Sequence, residues 1–384
     1  MGNKIRVGIV YGGKSGEHEV SLLTALAVMK EFDYAQYEIK PFYITQQGEW
    51  KAGAALNAPP ESVETLRQGS ASSSSSSLAP LFSMLDRGGK APEASIRSHN
   101  EVMQANAGHE APIDVMFPLL HGTYGEDGTI QGLFEMANIP YVGAGVLASA
   151  VGMDKVMMKK VLQHEGLPQC AFRYFTRSQW QNDPAFHIAE CEVALGYPCF
   201  VKPANLGSSV GVSKARNREE LEQAVQYALR FDRKVIVEEF VDAREIEVAV
   251  LGNDEPEASV PGEIASSNEF YDYKAKYIDG KSAMIIPAEL PQEKTEAVRD
   301  MAVRAFRAVD GTGLARVDFF LRKEDQALLI NELNTLPGFT PFSMYPLMWK
   351  ESGLPYKELL AKLIGLALER HREKELIQYS DESL

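Results

Sequence analysis

Acidic and amide side chains alternate with apolar residues in two runs that together read as a hairpin, ARVDFFLRKEDQALLINELN. In a hairpin symmetric about Asp325, Asp318 faces Glu332. In the same register, Arg316 faces Asn334. Residues two apart in a strand share a face, and directly opposed side chains have Cβ atoms about 4.5–5.5 Å apart. All four side chains are therefore expected on one face of the hairpin.

Two carboxylates and an amide oxygen this close repel one another unless a cation lies between them. A few hard oxygen ligands are typical of magnesium that is shared with nucleotide phosphates. We therefore predict a metal site at Asp318, Glu332 and Asn334. The alternative is a surface hairpin with solvated charges, but the apolar residues around these three positions weigh against it.

A glycine- and serine-rich loop is a candidate phosphate site. In PCFVKPANLGSSVGVS, Lys202 ends one strand pattern and a second strand pattern follows the loop. Glycines let backbone N–H groups approach anionic oxygens, and lysine supplies positive charge to phosphate. The pattern predicts a flap over phosphates, with a plain Gly-Ser hairpin as the alternative. The loop residues concerned are Gly207, Ser208, Ser209 and Gly211.

The stretch GIVYGGKS matches the P-loop pattern but does not fit its structure. The first glycine of a P-loop opens the loop after a strand, whereas Gly8 lies within a strand pattern. Glu17 and Glu19 follow this stretch, and their charge suits an ammonium group better than a phosphate. We favour the strand-to-helix turn of a doubly wound domain, which binds ligands at the carboxyl ends of its strands.

Two other segments have compositions that suit a nucleotide enzyme. In VIVEEFVDAREIEVAV, the carboxylates of Glu238, Glu239 and Glu245 can accept hydrogen bonds from an adenine amine and from ribose hydroxyls; a solvated charge run is the alternative.

Residues 266–287 form a long segment that is polar and rich in tyrosine, which is typical of a lid. A solvated loop does not account for the tyrosines.

The overall composition is that of an ordinary globular protein and excludes several classes. A chain of 384 residues suggests two or three domains. A net charge of -14 makes nucleic acid an unfavourable partner, and no apolar run is as long as a membrane span. Three cysteines without a CxxC pair, and no signal peptide pattern, favour a reduced, cytoplasmic environment.

Strand and helix patterns alternate along the chain, which favours a mixed α/β fold. Residues 51–112 interrupt them with a segment rich in Ala, Pro, Gly and Ser that we interpret as an insertion with little to bury. The clearest predicted elements are strands at 38–44, 113–120 and 234–241, and helices at 20–29, 152–166 and from about 291 to 311.

Five motifs follow one another along the chain and cover nearly all of it outside the insertion. They are HGTYGEDGTIQGLFE at 121–135, MDK at 153–155, KPANLGSSVGVS at 202–213, EFYDYKAKY at 269–277 and NELNTLPGFTPFSMYP at 331–346. Together these motifs are highly specific, and they resemble D-alanine–D-alanine ligase of the ATP-grasp superfamily, in its longer form.

The resemblance implies a three-domain ATP-grasp fold. Residues 1–143 would form an N-terminal doubly wound α/β domain that carries the insertion. Residues 144–238 and 239–384 would form two α+β domains whose antiparallel sheets clamp ATP, the second carrying the metal site and the lid at 266–287. The family further suggests a cytoplasmic homodimer that serves peptidoglycan synthesis, and hence the cell wall and cell shape.

The resemblance also assigns nucleotide contacts. Lys155 and Lys202 would bind the ATP phosphates under the loop of Ser208 and Ser209, and Lys276 would reach them from the lid. For the rest of the nucleotide, Glu238 would accept the adenine amine, the backbone of Glu239 to Val241 would meet the adenine edge, and Glu245 would bind the ribose. The metal would be two Mg²⁺ ions, which Mn²⁺ can replace, held by Asp318, Glu332 and Asn334.

In such a ligase the turn after the first strand is a substrate site. Glu17 would hold the ammonium of the first D-alanine, with His121 near its carboxylate. The second D-alanine would be bound by Arg316, the N–H of Gly338 and Ser343.

The implied reaction passes through a D-alanyl phosphate. The amine of the second D-alanine then attacks the carbonyl of D-alanyl phosphate, and Arg316 would stabilise the oxyanion. Tyr277 would link to Ser208 and Glu17 and so latch the lid.

Three alternatives stay open at this point. A ligase that joins D-alanine to D-lactate shares the chemistry, although the intact YDYKAKY motif favours an amine nucleophile by resemblance. A dinucleotide-dependent oxidoreductase would need GxGxxG after the first strand, which GGKSG does not supply. A non-catalytic ATP-binding regulator has less need of a full set of metal ligands and an oxyanion arginine.

Overall fold

The computed structural model describes residues 4–68, 112–207, 210–265 and 283–378, with the side chain of residue 68 left aside. These residues form three sheets, of four, four and six strands. Within these ranges no helix is both long and apolar enough to cross a membrane.

The N-terminal sheet has the strand order β3-β2-β1-β4. β1 pairs in parallel with both β2 and β4, and its residues from Val7 to Tyr11 are buried because neighbouring elements cover both faces. The strand order therefore reverses at β1, where doubly wound domains bind ligands. The elements are β1 (Ile5–Gly12), α1 (His18–Glu31), β2 (Tyr37–Ile44), β3 (Trp50–Ala52), α2 (Val63–Gln68), β4 (Val115–Pro118) and α3 (Thr129–Met136).

The start of the predicted insertion is structured, so our expectation that it has little to bury is wrong for its described part. Helix α2 packs against α1, with Leu66 buried and accepting a hydrogen bond from the hydroxyl of Tyr11. The Arg67 guanidinium contacts the Glu19 carboxylate at 2.6 Å. Composition alone hid this helix because its two apolar residues, Val63 and Leu66, stand among polar ones. Residues 69–111 lie outside the described part.

Two helices, α4 (Val146–Met153) and α5 (Lys155–His164), replace the single helix predicted over 152–166. The break falls at Asp154, whose backbone is extended and whose carboxylate accepts the N–H groups of Val156 and Met157. A helix cap of this kind satisfies donors that have no partner within the helix. Both helices contribute to the core of the C-terminal sheet, through residues such as Ala148 and Met158.

The central sheet is antiparallel throughout, with the order β5-β8-β6-β7. Its strands β6 and β7 flank the glycine-rich loop, as the sequence predicted. The elements are β5 (Phe172–Thr176), α6 (Arg177–Asn182), α7 (Pro184–Ala194), β6 (Cys199–Pro203), β7 (Ser213–Ala215), α8 (Arg218–Ala228) and β8 (Lys234–Glu239). The predicted domain boundary at 238/239 falls inside β8.

The C-terminal sheet has the order β12-β11-β9-β13-β14, with β10 paired to β9. α9 covers one face through Val298, Ala302 and Phe306. α11 joins this part to the N-terminal sheet, since Leu359 and Leu363 share a core with β4. The elements are β9 (Ala243–Gly252), β10 (Glu257–Ala258), β11 (Gly262–Ala265), β12 (Ala283–Ile285), α9 (Gln292–Ala308), β13 (Gly313–Arg322), β14 (Leu328–Asn334), α10 (Met344–Glu351) and α11 (Tyr356–Glu375).

Candidate active site

A cleft of about 1280 Å³ is lined by residues of all three sheets and their loops. Of the site residues predicted from the sequence that lie in the described part of the chain, Gly211 of the glycine-rich loop does not line this cleft, whereas every residue assigned to ATP, D-alanine or a metal does. These residues are Glu17, His121, Lys155, Lys202, Glu238, Glu239, Val241, Glu245, Arg316, Asp318, Glu332, Asn334, Gly338 and Ser343.

Four predicted site residues lie outside the described residues: Ser208, Ser209, Lys276 and Tyr277. The same holds for most of the predicted lid, of which the structure describes only residues 283–287. Their roles stay predictions.

The β13–β14 hairpin has the predicted pairing at the site. Asp318 pairs with Glu332, and Arg316 pairs with Asn334. The Arg316 guanidinium donates two hydrogen bonds to the Asp318 carboxylate, at 2.6 and 2.7 Å, and the Asn334 amide donates a third at 3.0 Å. Nε of Arg316 also lies 3.0 Å from the carboxylate of Glu247 on β9.

Arg316 thus supplies part of the positive charge that we expected from a metal. Burial would lower its pKa, but the charges of Asp318 and Glu247 raise it well above the usual value. The Lys155 ammonium lies 4.0 Å from the Glu332 carboxylate and adds a second cation. These two cations therefore offset part of the charge of the three carboxylates, so repulsion among the carboxylates is reduced without a metal.

The donor set nevertheless fits a divalent cation shared with a nucleotide. Among the described residues, no three His, Cys, Asp or Glu side chains converge on a point that could hold a metal. Asp318, Glu332 and Asn334 supply hard oxygens on one wall of the cleft, and an ionised carboxylate has about four lone-pair sites. Magnesium completes such a partial set with phosphates and water.

Two lysines reach the cleft near its acidic hairpin. Lys155 is the first residue of α5, and its ammonium donates to the carbonyl of Leu206 in the glycine-rich loop at 2.9 Å. Burial lowers the pKa of Lys155, partly offset by Glu332. Lys202, near the end of β6, lies 2.6 Å from a carboxylate oxygen of Glu238. Cations at these two places can bind an anionic polyphosphate.

Glu238 is almost completely buried at the end of β8, with 2% of its surface exposed. Its second oxygen lies 3.1 Å from the ammonium of Lys159. Burial alone would raise the pKa of Glu238, but the charges of Lys159 and Lys202 lower it to about 2. Lys159 was not predicted from the sequence. Its position four residues after Lys155, on the same helix face, was the available signal.

The next residues along the strand differ in what they present to the cleft. The Glu239 carboxylate accepts the N–H of Ala171 at 2.7 Å, and the Glu239 N–H bonds to the carbonyl of Ala171. Its carboxylate is therefore engaged with the start of β5. Val241 and, on β9, Glu245 line the cleft wall.

Glu17 and His121 lie at the carboxyl end of the N-terminal sheet. Glu17 follows β1 and His121 follows β4, and both residues line the cleft. Gly122 adopts φ +73°, and a Cβ atom there would lie 2.7 Å from a Glu17 carboxylate oxygen. The glycine therefore permits both the left-handed backbone and the close approach of Glu17.

The His121 ring is held by protein groups on both sides. One nitrogen lies 3.8 Å from the Glu126 carboxylate, and the other lies 3.3 Å from the hydroxyl of Thr24. Burial would lower the pKa of His121, but Glu126 and Glu17 raise it overall. Burial raises the pKa of Glu126 itself. We did not predict Glu126, although an acidic residue between glycines in HGTYGEDG was a signal.

Gly338 and Ser343 lie together on the wall beyond β14. A Cβ atom on Gly338 would lie 3.4 Å from the Ser343 hydroxyl. That hydroxyl accepts the N–H of Thr340 at 3.1 Å, which fixes its position. The loop thus lines the same cleft as Arg316.

Comparison with known families decides the relationship. The family model described as D-ala D-ala ligase N-terminus matches residues 6–144. The family model described as D-ala D-ala ligase C-terminus matches residues 161–365. The chain belongs to the D-alanine–D-alanine ligase family.

Similar members of the D-alanine–D-alanine ligase family match along nearly the whole chain. The protein named D-alanine–D-alanine ligase from Bacillus cytotoxicus is 52% identical over 378 residues, covering 98% of this chain and 99% of that protein. The solved D-alanine-D-alanine ligase from Coxiella burnetii has a TM-score of 0.75 at 31% identity, covering 98% of this chain and 97% of that one.

A solved structure whose name gives D-alanine and D-serine as the substrates is similar to this chain to a comparable degree. VanG D-Ala:D-Ser ligase from Enterococcus faecalis has a TM-score of 0.76 at 34% identity, covering 95% of this chain and 100% of that one. These neighbours confirm the predicted ATP-grasp fold.

Proposed function

We propose that the protein joins two D-alanine molecules to D-alanyl-D-alanine, converting ATP to ADP and phosphate. The observation that carries the proposal is that one cleft is lined by Glu17 and His121 and also by Arg316, Asp318 and the two lysines. This arrangement supports a site for an amino acid beside a site for a polyphosphate. The full-length similarity to a D-alanine–D-alanine ligase supports the same substrates.

In the first step, the carboxylate of one D-alanine attacks the γ-phosphate of ATP. Glu17 binds the ammonium of that D-alanine, and His121, whose raised pKa favours the charged ring, attracts its carboxylate. Lys155 and Lys202 bind the phosphates and spread the charge that develops during phosphoryl transfer. The products of this step are ADP and D-alanyl phosphate.

In the second step, the amine of another D-alanine attacks the carbonyl of D-alanyl phosphate. A tetrahedral oxyanion forms, and it collapses with loss of phosphate to give the dipeptide. Arg316 stabilises this oxyanion, and preorganised donors of this kind commonly supply the largest part of catalysis. Two carboxylates, Asp318 and Glu247, fix the guanidinium before the substrate arrives. Gly338 and Ser343 bind the second D-alanine.

The nucleotide site would be completed at the other end of the cleft. Glu238 accepts the adenine amine, the backbone from Glu239 to Val241 meets the adenine edge, and Glu245 binds the ribose. Two Mg²⁺ ions, which Mn²⁺ can replace, would neutralise phosphate charge when bound to Asp318, Glu332 and Asn334.

D-Alanyl phosphate must be protected from water. Residues 266–287 would close as a lid, with Lys276 on the phosphates. The hydroxyl of Tyr277 would link to Ser208 and Glu17, while Ser209 and its neighbours cover the phosphates. Exclusion of water both protects the intermediate and strengthens the electrostatic interactions in the site.

The wider setting proposed is a cytoplasmic homodimer that supplies a peptidoglycan precursor. All three cysteines, Cys170, Cys191 and Cys199, are free and buried, which is consistent with a reducing compartment. The dimer is carried over from the family, and sedimentation velocity at micromolar concentration tests it.

The choice of second substrate is tested by product analysis. The protein is incubated with ATP and Mg²⁺ plus D-alanine alone, D-alanine with D-serine, D-alanine with D-lactate, or L-alanine alone. We expect phosphate release and D-alanyl-D-alanine with D-alanine alone, no excess of mixed product in the two mixtures, and no reaction with L-alanine. A predominant D-alanyl-D-serine or D-alanyl-D-lactate product would overturn the assignment.

A further inference from the structure

Three charges are buried side by side behind the adenine end of the cleft. The Glu238 carboxylate lies between two ammonium groups, 3.1 Å from Lys159 and 2.6 Å from Lys202. The side chain of Lys159 is fully buried. Burying a lysine is costly unless it is paired, so this lysine requires an explanation that the reaction steps above do not provide.

The two lysines occupy different positions relative to the cleft. Lys202 is part of the cleft wall, whereas Lys159 lies behind Glu238 and is not part of the wall formed by the described residues. Lys202 can therefore turn towards the phosphates of a nucleotide. Lys159 cannot, because it is enclosed by α5 and by the start of the central sheet.

Packing fixes Lys159 in place. Its ammonium lies 3.5 Å from the sulfur of Cys170 and 5.8 Å from the centre of the Phe172 ring. The backbone carbonyl of Lys159 accepts a hydrogen bond from the Gln169 side chain at 2.8 Å. A charge held in this way has little freedom to leave Glu238 when a ligand binds.

We propose that Lys159 is a positioning residue that keeps Glu238 ionised and correctly oriented for the adenine amine after Lys202 turns to the ATP phosphates. The inference rests on the proposed function, since it takes Glu238 as the acceptor of that amine. Each ammonium engages a different oxygen of Glu238. A carboxylate has about four lone-pair sites, so each oxygen can still accept from a ligand.

The consequence is selection of the purine base. Adenine presents an amine to Glu238, whereas hypoxanthine presents a carbonyl oxygen that an ionised carboxylate repels. A buried polar group that loses its partner discriminates strongly between such ligands. Without Lys159, Lys202 is the close cation that Glu238 keeps among the described residues, so the carboxylate would compete with the phosphates for that lysine.

The test compares kcat/KM for ATP with kcat/KM for ITP in D-alanine ligation. Lys159→Met removes the charge with little change of volume, and Lys160→Met is the matched control, since Lys160 is the exposed neighbour that contacts the Tyr174 hydroxyl. We expect Lys159→Met to reduce the preference for ATP about tenfold, through KM for ATP, with KM for D-alanine unchanged. Lys160→Met keeps the wild-type preference. An unchanged preference in Lys159→Met would overturn the inference.

Glu238→Gln separates this inference from the proposed function. If Glu238→Gln keeps the ATP preference, the adenine role of Glu238 is wrong and the inference falls with it. Formation of D-alanyl-D-alanine by the wild-type protein tests the proposed function, whatever the purine preference of the variants.

The double variant Lys159→Met/Glu238→Gln removes both charges, so it remains usable if Lys159→Met alone does not fold. If Lys159 acts through Glu238, the double variant has the same ATP preference as Glu238→Gln. A further loss of preference would contradict the proposal.

Discussion

Asp318 lies opposite Glu332 because one extra residue resets the register of the hairpin that carries both. Near the turn, Phe319 pairs with Ile330; beyond the irregularity, Asp318 pairs with Glu332, and Asn331 is left without an opposing residue. Without this bulge, Asp318 would face Asn331, and Glu332 would point to the other side of the sheet. The bulge therefore places both carboxylates in the cleft.

The first prediction concerns these carboxylates. Asp318→Asn removes a charged oxygen ligand while keeping an acceptor for Arg316, so we expect the rate to fall about 100-fold or more, with a higher Mg²⁺ concentration needed for half-maximal activity. The matched control is Asp325→Asn, in the exposed turn of the same hairpin. Initial rates across a Mg²⁺ titration measure the maximal rate and the Mg²⁺ requirement of each variant. Wild-type Mg²⁺ dependence in Asp318→Asn would rule out a metal at this residue.

The second prediction concerns the first D-alanine. Glu17→Gln removes the counter-charge of the substrate ammonium, and losing such a hydrogen bond costs about 1.5–3 kcal/mol, or about 10- to 150-fold in kcat/KM for D-alanine. KM for ATP should not change. Glu19→Gln, on the cleft rim beside Arg67, is the control. Equal effects of the two substitutions would refute a specific role for Glu17.

The third prediction uses two glycines with similar backbones. Gly122 and Gly166 have φ of +73° and +68°, but a Cβ atom would meet Glu17 only at Gly122, since nothing lies within 4 Å at Gly166. Alanine at either position should lower the free energy of unfolding by about 1 kcal/mol through backbone strain. Gly122→Ala should also raise KM for D-alanine. Denaturant unfolding and steady-state kinetics separate the two effects, and an unchanged KM in Gly122→Ala would count against the position assigned to Glu17.

The fourth prediction is a pH dependence. The pKa of His121 is raised above 6.5, so the charged ring persists at higher pH than in a free histidine. If that charge attracts the substrate carboxylate, kcat/KM for D-alanine falls as pH rises through the raised pKa. Any stability from the charged ring is fully present below pH 6.5 and is lost over the same rise.

Glu126→Gln should move the fall in kcat/KM to lower pH, because the neighbouring negative charge is gone. The control is Glu190→Gln, whose carboxylate lies at the same 3.8 Å from His187, in the central part of the chain. A pH profile that does not move in Glu126→Gln would show that His121 does not control this step.

Much of the site follows from the sequence because short motifs carry it. The face shared by Arg316, Asp318, Glu332 and Asn334 follows from strand periodicity and a correct register at the site. The bulge itself does not follow: symmetry about Asp325 predicts the pairing beyond it but is one residue out near the turn. Nothing in the pattern of apolar residues distinguishes the two registers.

Features that depend on contacts between distant segments were missed. Lys159 becomes a partner of Glu238 only when α5 packs behind β8, and the two residues are far apart in the chain. Helix α2 depends on Leu66 and Val63, which pack into the core that α1 shares. The helix break at Asp154, by contrast, is local: its carboxylate caps α5, a signal that apolar periodicity does not contain. Local periodicity contains little information about any of these three.

The most direct test of the proposed chemistry follows an oxygen atom. D-Alanine labelled with oxygen-18 in its carboxylate is incubated with ATP, Mg²⁺ and the wild-type protein. The oxygen-18 content of the phosphate and of the dipeptide is then measured by mass spectrometry. If D-alanyl phosphate is the intermediate, each D-alanyl-D-alanine is accompanied by one phosphate that carries a single oxygen-18 atom from the attacking carboxylate. Unlabelled phosphate beside the dipeptide, or label in AMP, would contradict the mechanism, and absence of the dipeptide would contradict the proposed function itself.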